Sequence, residues 1–306
     1  MKLQQLRYIR EVARANLNVS MAAAALNAAQ PGLSSQIRQL EDELNVHIFE
    51  RHGKRLTGVT PPGRAILALA EKVLSEVDNI RQVSADYSSE DSGSLAIATT
   101  HTQARYVLPQ VVKAFTQRYP NVRLHMHQGS PTQIADMAAS GAADIAIATE
   151  AIELFDDLVM MPCYQWNRCV IAPPAHELWD GGELTLDTIA QYPIVTYDSA
   201  FTGRSKINQA FDAAGLRPNV VLTAIDSDVI KTYVELGLGI GLLASMAFDE
   251  QRDRGLRAED AAHLFADSTT RIGIRRGSYL RGYVYAFIEL FSPHLDRATI
   301  KKAVEQ

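Results

Sequence analysis

Cysteine is scarce: Cys163 and Cys169, six positions apart and without clustered partners, fit reduced thiols and neither a disulfide framework nor a zinc site. Long apolar runs are missing too, since no stretch reaches the ~18 uninterrupted residues of a membrane span. The opening MKLQQLRYIREVARANL is amphipathic and charged throughout, unlike a secretory leader, so the expectation is a cytoplasmic protein with no membrane contact. Neither a Gly-x-Ser-x-Gly elbow nor a Walker loop occurs, which argues against an enzyme and against a cofactor. The glycines of GLGIG, Gly237 to Gly241, follow a helix and precede a strand, the reverse of a dinucleotide loop, and read as a helix C-cap and turn. His125 and His127 alternate on one strand face with no acid or cysteine near them in sequence, so no metal site is expected.

What is present is an ordinary globular composition with an uneven charge. The 306 residues, 21% of them charged, are enough for two or three units with real cores. Net charge is −5, yet residues 1–60 hold eight Lys and Arg against five Asp and Glu, leaving −8 for the rest. A basic N-terminal segment on an acidic body fits a DNA-binding head joined to a part with a different partner.

That head centres on VSMAAAALNAAQPGLSSQIRQLEDEL, Val19 to Leu44, two helices across a tight turn. Ser20 is expected to cap the first and Pro31 to sit in the first turn of the second. Leu33, Ile37, Leu40 and Leu44 recur at four, three and four residues and should share one apolar face, leaving Gln30, Ser34 and Arg38 on the polar one. Short polar side chains and a guanidinium, on a helix with a free positive end, suit insertion into the major groove. A first helix over residues 3–15 covers the pair with Leu6, Ile9 and Val12. VHIFERHGKRLTGV then reads as two short strands around His52-Gly53, a wing whose tip carries Arg51, Lys54 and Arg55 for phosphates or a minor groove.

Pro61, Pro62 and Gly63 punctuate the chain before a long helix from about Arg64 to Tyr87. Ile66, Ala70, Val73, Val77, Ile80, Ser84 and Tyr87 form an unbroken heptad seam, which predicts pairing with a second subunit, and DYSSEDSGS follows as a linker. From Ser94 strands and helices alternate: strands at 94–100, 122–128 and 143–149, helices at 103–118 and 131–140, then a second set from CVIAP to IGLLAS and a closing strand at 269–276. This order predicts two α/β lobes with mostly parallel sheets and a ligand cleft at strand ends. Thr100, Thr102 and Gln103 follow the first strand, Thr149 ends the third, and Thr202 precedes a helix of the second lobe. Hydroxyls, an amide and backbone N–H groups gathered there would hold a small anion or zwitterion. Trp166 reads equally well as core or as cleft wall.

With these parts in place the chain resembles the LysR-type transcriptional regulators, in particular their CysB-like branch, which governs sulfate assimilation and cysteine biosynthesis. The likeness runs from Met1 to about His294 and rests on MKLQQLRYI, LEDEL, IATTHTQARY, LHMHQGSPTQIA, AIATEA, DDLVM, CYQWNR, FTGRS and DVIKTYV. It implies a winged helix-turn-helix over 1–60, a linker and dimerisation helix over 61–92, and an effector domain over 93–306. The last would be two-lobed, Rossmann-like and similar to type 2 periplasmic binding proteins, with lobe I at about 93–164 and 268–306 and lobe II at about 165–267. DNA contacts would fall on Ser20, Gln30, Pro31, Ser34, Ser35, Arg38, Arg51, Lys54 and Arg55; effector contacts on Thr100, Thr102, Gln103, Thr149, Trp166 and Thr202. The resemblance further implies a dimer of dimers on promoter DNA with RNA polymerase as a partner. N-acetylserine or O-acetylserine would activate it and sulfate or thiosulfate would oppose. Ala22, Ala29 and Ser35 stand where that branch usually carries Thr, Ser, and Lys or Arg. A related regulator of sulfonate use is the competing reading within the family; a solute-binding protein or an α/β enzyme competes from outside it.

Overall fold

The computed structural model describes the chain except residues 54, 89, 90, 150–154, 200, 202 and 306, and it divides into two units, Met1–Tyr87 and Ser88–Gln306. In the first, helices α1 (Leu3–Arg14), α2 (Val19–Ala25) and α3 (Gln30–Leu44) precede the antiparallel hairpin β1 (Phe49–His52) and β2 (Arg55–Val59), and α4 (Pro61–Ser88) closes it. Ile9, Val12, Leu33, Leu40 and Ile48 are fully buried in one core, each contributing about 1.5–3 kcal/mol by leaving water.

Two local expectations are corrected. Helix α2 is capped by Asn18, whose Oδ1 accepts from Met21 N at 3.1 Å, and Ser20 lies exposed in its first turn. Asn16 and Leu17 both adopt positive φ and bring Asn18 round to face the helix end. Leu44 is 36% exposed because the last turn of α3 runs past the core, and the buried position there belongs to Glu41.

Helix α4 begins at Pro61 and not near Arg64. Two prolines fit a first turn that needs no N–H, while the Thr60 hydroxyl accepts from Gly63 N at 2.9 Å and donates to His47 O. The predicted seam divides. Ile66 and Ala70, with Leu67 and Leu74, pack on the head core, whereas Val73, Ile80 and Tyr87 are exposed at 42%, 68% and 89%.

The second unit holds two five-stranded sheets. Strands β3 (Ser92–Thr99), β4 (Asn121–Gln128), β5 (Ile145–Thr149), β6 (Leu158–Trp166) and β12 (Ser268–Arg275) form one, ordered β4-β3-β5-β12-β6. Strands β7 (Arg168–Ala172), β8 (Ile194–Tyr197), β9 (Val220–Ala224), β10 (Ile240–Ala244) and β11 (Arg257–Asp260) form the other, ordered β11-β7-β10-β8-β9. In each sheet two of the four strand pairings are parallel and two antiparallel, with one strand, β12 or β7, running against the other four, so the sheets are mixed. The antiparallel pairs arise because the chain leaves the first lobe through β6 and re-enters it through β12. Strand β6 escapes the alternation test because Pro162 interrupts it at a bulge on the sheet edge, where a missing N–H costs no ladder bond.

Helices α5 (Leu108–Arg118), α10 (Gly282–Phe291) and α11 (Arg297–Glu305) cover one face of the first sheet through Phe115, Phe287 and Ile300, and α6 (Pro131–Ala139) covers the other through Ile134 and Ala138. In the second lobe α7 (Leu186–Ala190) and α8 (Gly203–Ala213) flank one core and α9 (Ser227–Glu235) the other. After α9, Gly237 takes φ +81° and Leu238 N reaches back to Tyr233 O, which makes GLGIG the helix stop and turn read from sequence.

Candidate functional site

In the head, Gln30, Pro31, Ser35 and Arg38 are exposed on α3 and Ser34 is half-buried. Ala29 occupies the N-cap without a side-chain hydrogen bond, so the backbone end of α3 is left for another acceptor. An open hollow of about 820 Å³ lies between the helix pair and the wing, lined among others by Leu17, Ser20, Gln30, His52, Arg55 and Thr57. Its walls thus combine predicted groove-reading residues with a wing cation, a lining that suits a sugar-phosphate strand. Arg51 is differently placed. Its Nη2 donates to Glu41 Oε2 at 2.7 Å, and its side chain is only 26% exposed. Lys54 lies outside the described residues.

The predicted effector residues divide between buried and half-buried places at the lobe junction. Thr100 is half-buried at the end of β3 and its carbonyl accepts from Ala104 N, starting the next helix. That helix opens with a π turn, Gln103–Val107, before α5. Pro109 explains the wide turn: it has no N–H to give the Arg105 carbonyl, and its ring would crowd that group in a regular helix. The turn buries Gln103, whose Nε2 donates to Thr270 Oγ1 at 3.2 Å while Tyr164 Oη donates to its Oε1. Thr270 faces Thr149 across β12 and β5, so buried Gln103, Thr149 and Thr270 gather with half-buried Tyr164 in one uncharged cluster. Thr102 is half-buried, and the Tyr197 hydroxyl of the second lobe, whose pKa it helps to lower, hydrogen-bonds Ser227 Oγ at 2.7 Å and accepts from Ala244 N; burial outweighs these and pushes that phenol above its ordinary value.

Trp166 sits in register with Ser268, its indole Nε1 buried with no protein partner among the described residues. The Arg168 guanidinium lies 5.2 Å from the Trp166 ring centre, fully buried, and donates to Ala266 O and to Ser268 Oγ at 2.9 Å. Arg204, from α8, also keeps a buried Nη1 without a partner among the described residues, and burial lowers its pKa. Thr202 falls outside the described residues.

A charged hub missed by sequence reading joins the lobes. Asp228 accepts from Tyr106 Oη at 2.6 Å, lies 3.4 Å from Arg105 Nε and 3.4 Å from Lys231 Nζ, and Lys231 also meets Asp253 at 3.0 Å. Burial pushes the Asp228 carboxyl up, but the Tyr106 hydrogen bond, Lys231 and Arg105 outweigh it and hold the group below the usual range. Ligand atoms of His101, Asp226 and Asp228 lie within 4.8 Å of one another. Two cations already occupy Asp228, and Asp226 caps α9 through Val229 N, so this trio is spoken for by the protein itself. No spacing rule links residues 101–106 to 226–231; only a view of both lobes at once brings them together.

Comparison with known proteins agrees with both halves. The lysR-family bacterial regulatory helix-turn-helix pattern matches residues 3–64, and the LysR substrate binding domain matches residues 88–296. The HTH-type transcriptional regulator SsuR of Burkholderia cenocepacia is 55% identical over 300 residues, covering 98% of this chain and 97% of its own. The regulator CysB of the same bacterium is 52% identical over 305 residues, covering 100% and 97%. Among solved structures, the cofactor-binding domain of the Cbl transcriptional regulator is 46% identical with a TM-score of 0.69, covering 71% of this chain and 96% of that one. No helix among the described residues is long and apolar enough to cross a membrane. The chain belongs to the LysR family of DNA-binding transcriptional regulators, proteins that carry a small-molecule-binding domain behind a helix-turn-helix head and are not enzymes.

Proposed function

We propose that the protein is a CysB-like activator of sulfate assimilation and cysteine biosynthesis genes, acting in the cytoplasm. It binds promoter DNA as a dimer of dimers, with RNA polymerase as a partner, and responds to N-acetylserine or O-acetylserine, opposed by sulfate or thiosulfate. The observation that carries the effector reading is the Trp166 indole N–H, buried without a partner among the described residues, beside a guanidinium and the hydroxyl of Ser268. A buried donor left unpaired costs about 1–3 kcal/mol, and a carboxylate or sulfate oxygen would satisfy it. Thr100, Thr102, Gln103 and Thr149, with Thr202, supply neutral donors for the rest of a small anion or zwitterion. The exposed Val73, Ile80 and Tyr87 of α4 support subunit pairing.

A second reading, a regulator of sulfonate use, is compatible with the 55% identity to SsuR. Melting-temperature scans with N-acetylserine, O-acetylserine, sulfate and thiosulfate test the effector. A ligand at one hundred times its Kd stabilises by about 2.7 kcal/mol, a shift of several degrees. Response to an acetylserine supports the first reading. Silence from all four removes it while family membership stands.

A further inference from the structure

Glu41 is out of place by every local rule. It follows Leu40 on the buried side of α3, near the helix C-terminus where the macrodipole disfavours an acid. Only 4% of it is exposed, and a carboxylate so buried is tolerated only when paired and hydrogen-bonded. Its partners all belong to the wing. Oε1 accepts from Ile48 N at 2.9 Å and Phe49 N at 3.2 Å, and Oε2 accepts from Arg51 Nη2 at 2.7 Å. Three attachments, one just before β1 and two within it, therefore end on one side chain of the recognition helix. One residue further, His52 pairs with Arg55, and both line the hollow opposite Ser20 and Gln30.

We infer that Glu41 is a positioning residue for DNA binding: it ties the wing to α3 and so sets the hollow in which a sugar-phosphate strand would lie, with Arg51 acting through Glu41 and not as a phosphate clamp. Charge alone gives the opposite expectation. An acid a few ångströms from a nucleic-acid face repels phosphates, so neutralising it should tighten binding. Positioning requires that neutralising it weaken binding, because the wing cation is then presented less well.

The test is a fluorescence-anisotropy titration of the full-length protein with a mixed-sequence duplex at several salt concentrations, for wild type, Glu41→Gln, Arg51→Met and the double variant. Glutamine keeps an acceptor for the two amides and releases Arg51. The expected result is several-fold weaker binding by Glu41→Gln, with a slope of log K against log salt shallower by about 1, the equivalent of one phosphate contact. The double variant should bind no worse than either single one, because the two residues act as one unit. Equal or tighter binding by Glu41→Gln with an unchanged slope overturns the proposal, as do losses that add in the double variant. Hydrogen exchange of the wing amides keeps the test open if Glu41→Gln does not fold. Arg51→Met should speed exchange across residues 48–59, and lost affinity with wild-type exchange would make Arg51 a direct contact instead.

Discussion

The link between Tyr106 and Asp228 can be removed with a single oxygen. Tyr106→Phe keeps the ring, which packs on the second-lobe core and lies 5.1 Å from Lys231 Nζ, and deletes only the hydroxyl that donates to Asp228. A hydrogen bond to a charged acceptor contributes about 1.5–3 kcal/mol when sheltered. Asp228 is 41% exposed, so water replaces part of the loss and screens the remainder, leaving about 1 kcal/mol. For a unit the size of Ser88–Gln306 that is a fall in Tm of about 2–4 °C. The pH dependence carries a definite sign. Asp228 titrates below its ordinary value of 3.8 in the folded protein, so its bonds stabilise fully above 3.8 and are lost as the pH falls through the lower, folded value. Burial and the Asp228 contact push the Tyr106 phenol upward, so it remains a donor throughout. Urea titrations of wild type, Tyr106→Phe, Asp228→Asn and the double variant should give a coupling energy of about 1 kcal/mol at neutral pH that shrinks in acid. A coupling near zero at neutral pH, or one that is unchanged in acid, would refute the reasoning.

Two further outcomes follow from the head. A Cβ added at Gly63 would lie 2.0 Å from the Ile48 carbonyl oxygen, a backbone clash with no flexible atom to yield, so Gly63→Ala should cost at least the ~1–3 kcal/mol of overpacking; thermal melting of the isolated change checks it, and a neutral result would mean that α4 can shift. Ser35 is exposed on α3, and Ser35→Arg should raise affinity for a CysB-type promoter fragment by about 1–3 kcal/mol if it meets a base edge; unchanged gel-shift binding would place that side chain away from DNA.

Legibility tracked the range of the interaction. Leu33, Ile37 and Leu40 were readable because periodicity in one helix reports the face that it buries, and Thr149 and Thr100 because strand ends announce themselves. The π turn left no periodic mark, although Pro109 six residues after Gln103 was a usable signal. Glu41 inside LEDEL was not singled out; its burial depends on three wing atoms that no helical spacing encodes. The heptad seam was real as a pattern, but spacing does not say whether Ile66 and Ala70 face a partner or their own core. Strand β11 and helix α11 went unread because neither shows alternation or length enough to stand out.

Strand β12 lies between β5 and β6, paired to β6 along its whole length and to β5 over Thr270–Gly273, yet it is made about a hundred residues after β6 ends. The first lobe is therefore split in time as well as in sequence. As the chain leaves the ribosome, β3, β4 and β5 can assemble, but β5 and β6 hold open edges until the second lobe, which is continuous from β7 to β11, has been completed. Unpaired edges of this kind invite association with other nascent chains. A premature stop between Asp260 and Ser268 thus releases a protein with an intact DNA-reading head, all five strands of the second lobe and a first lobe that cannot close its sheet.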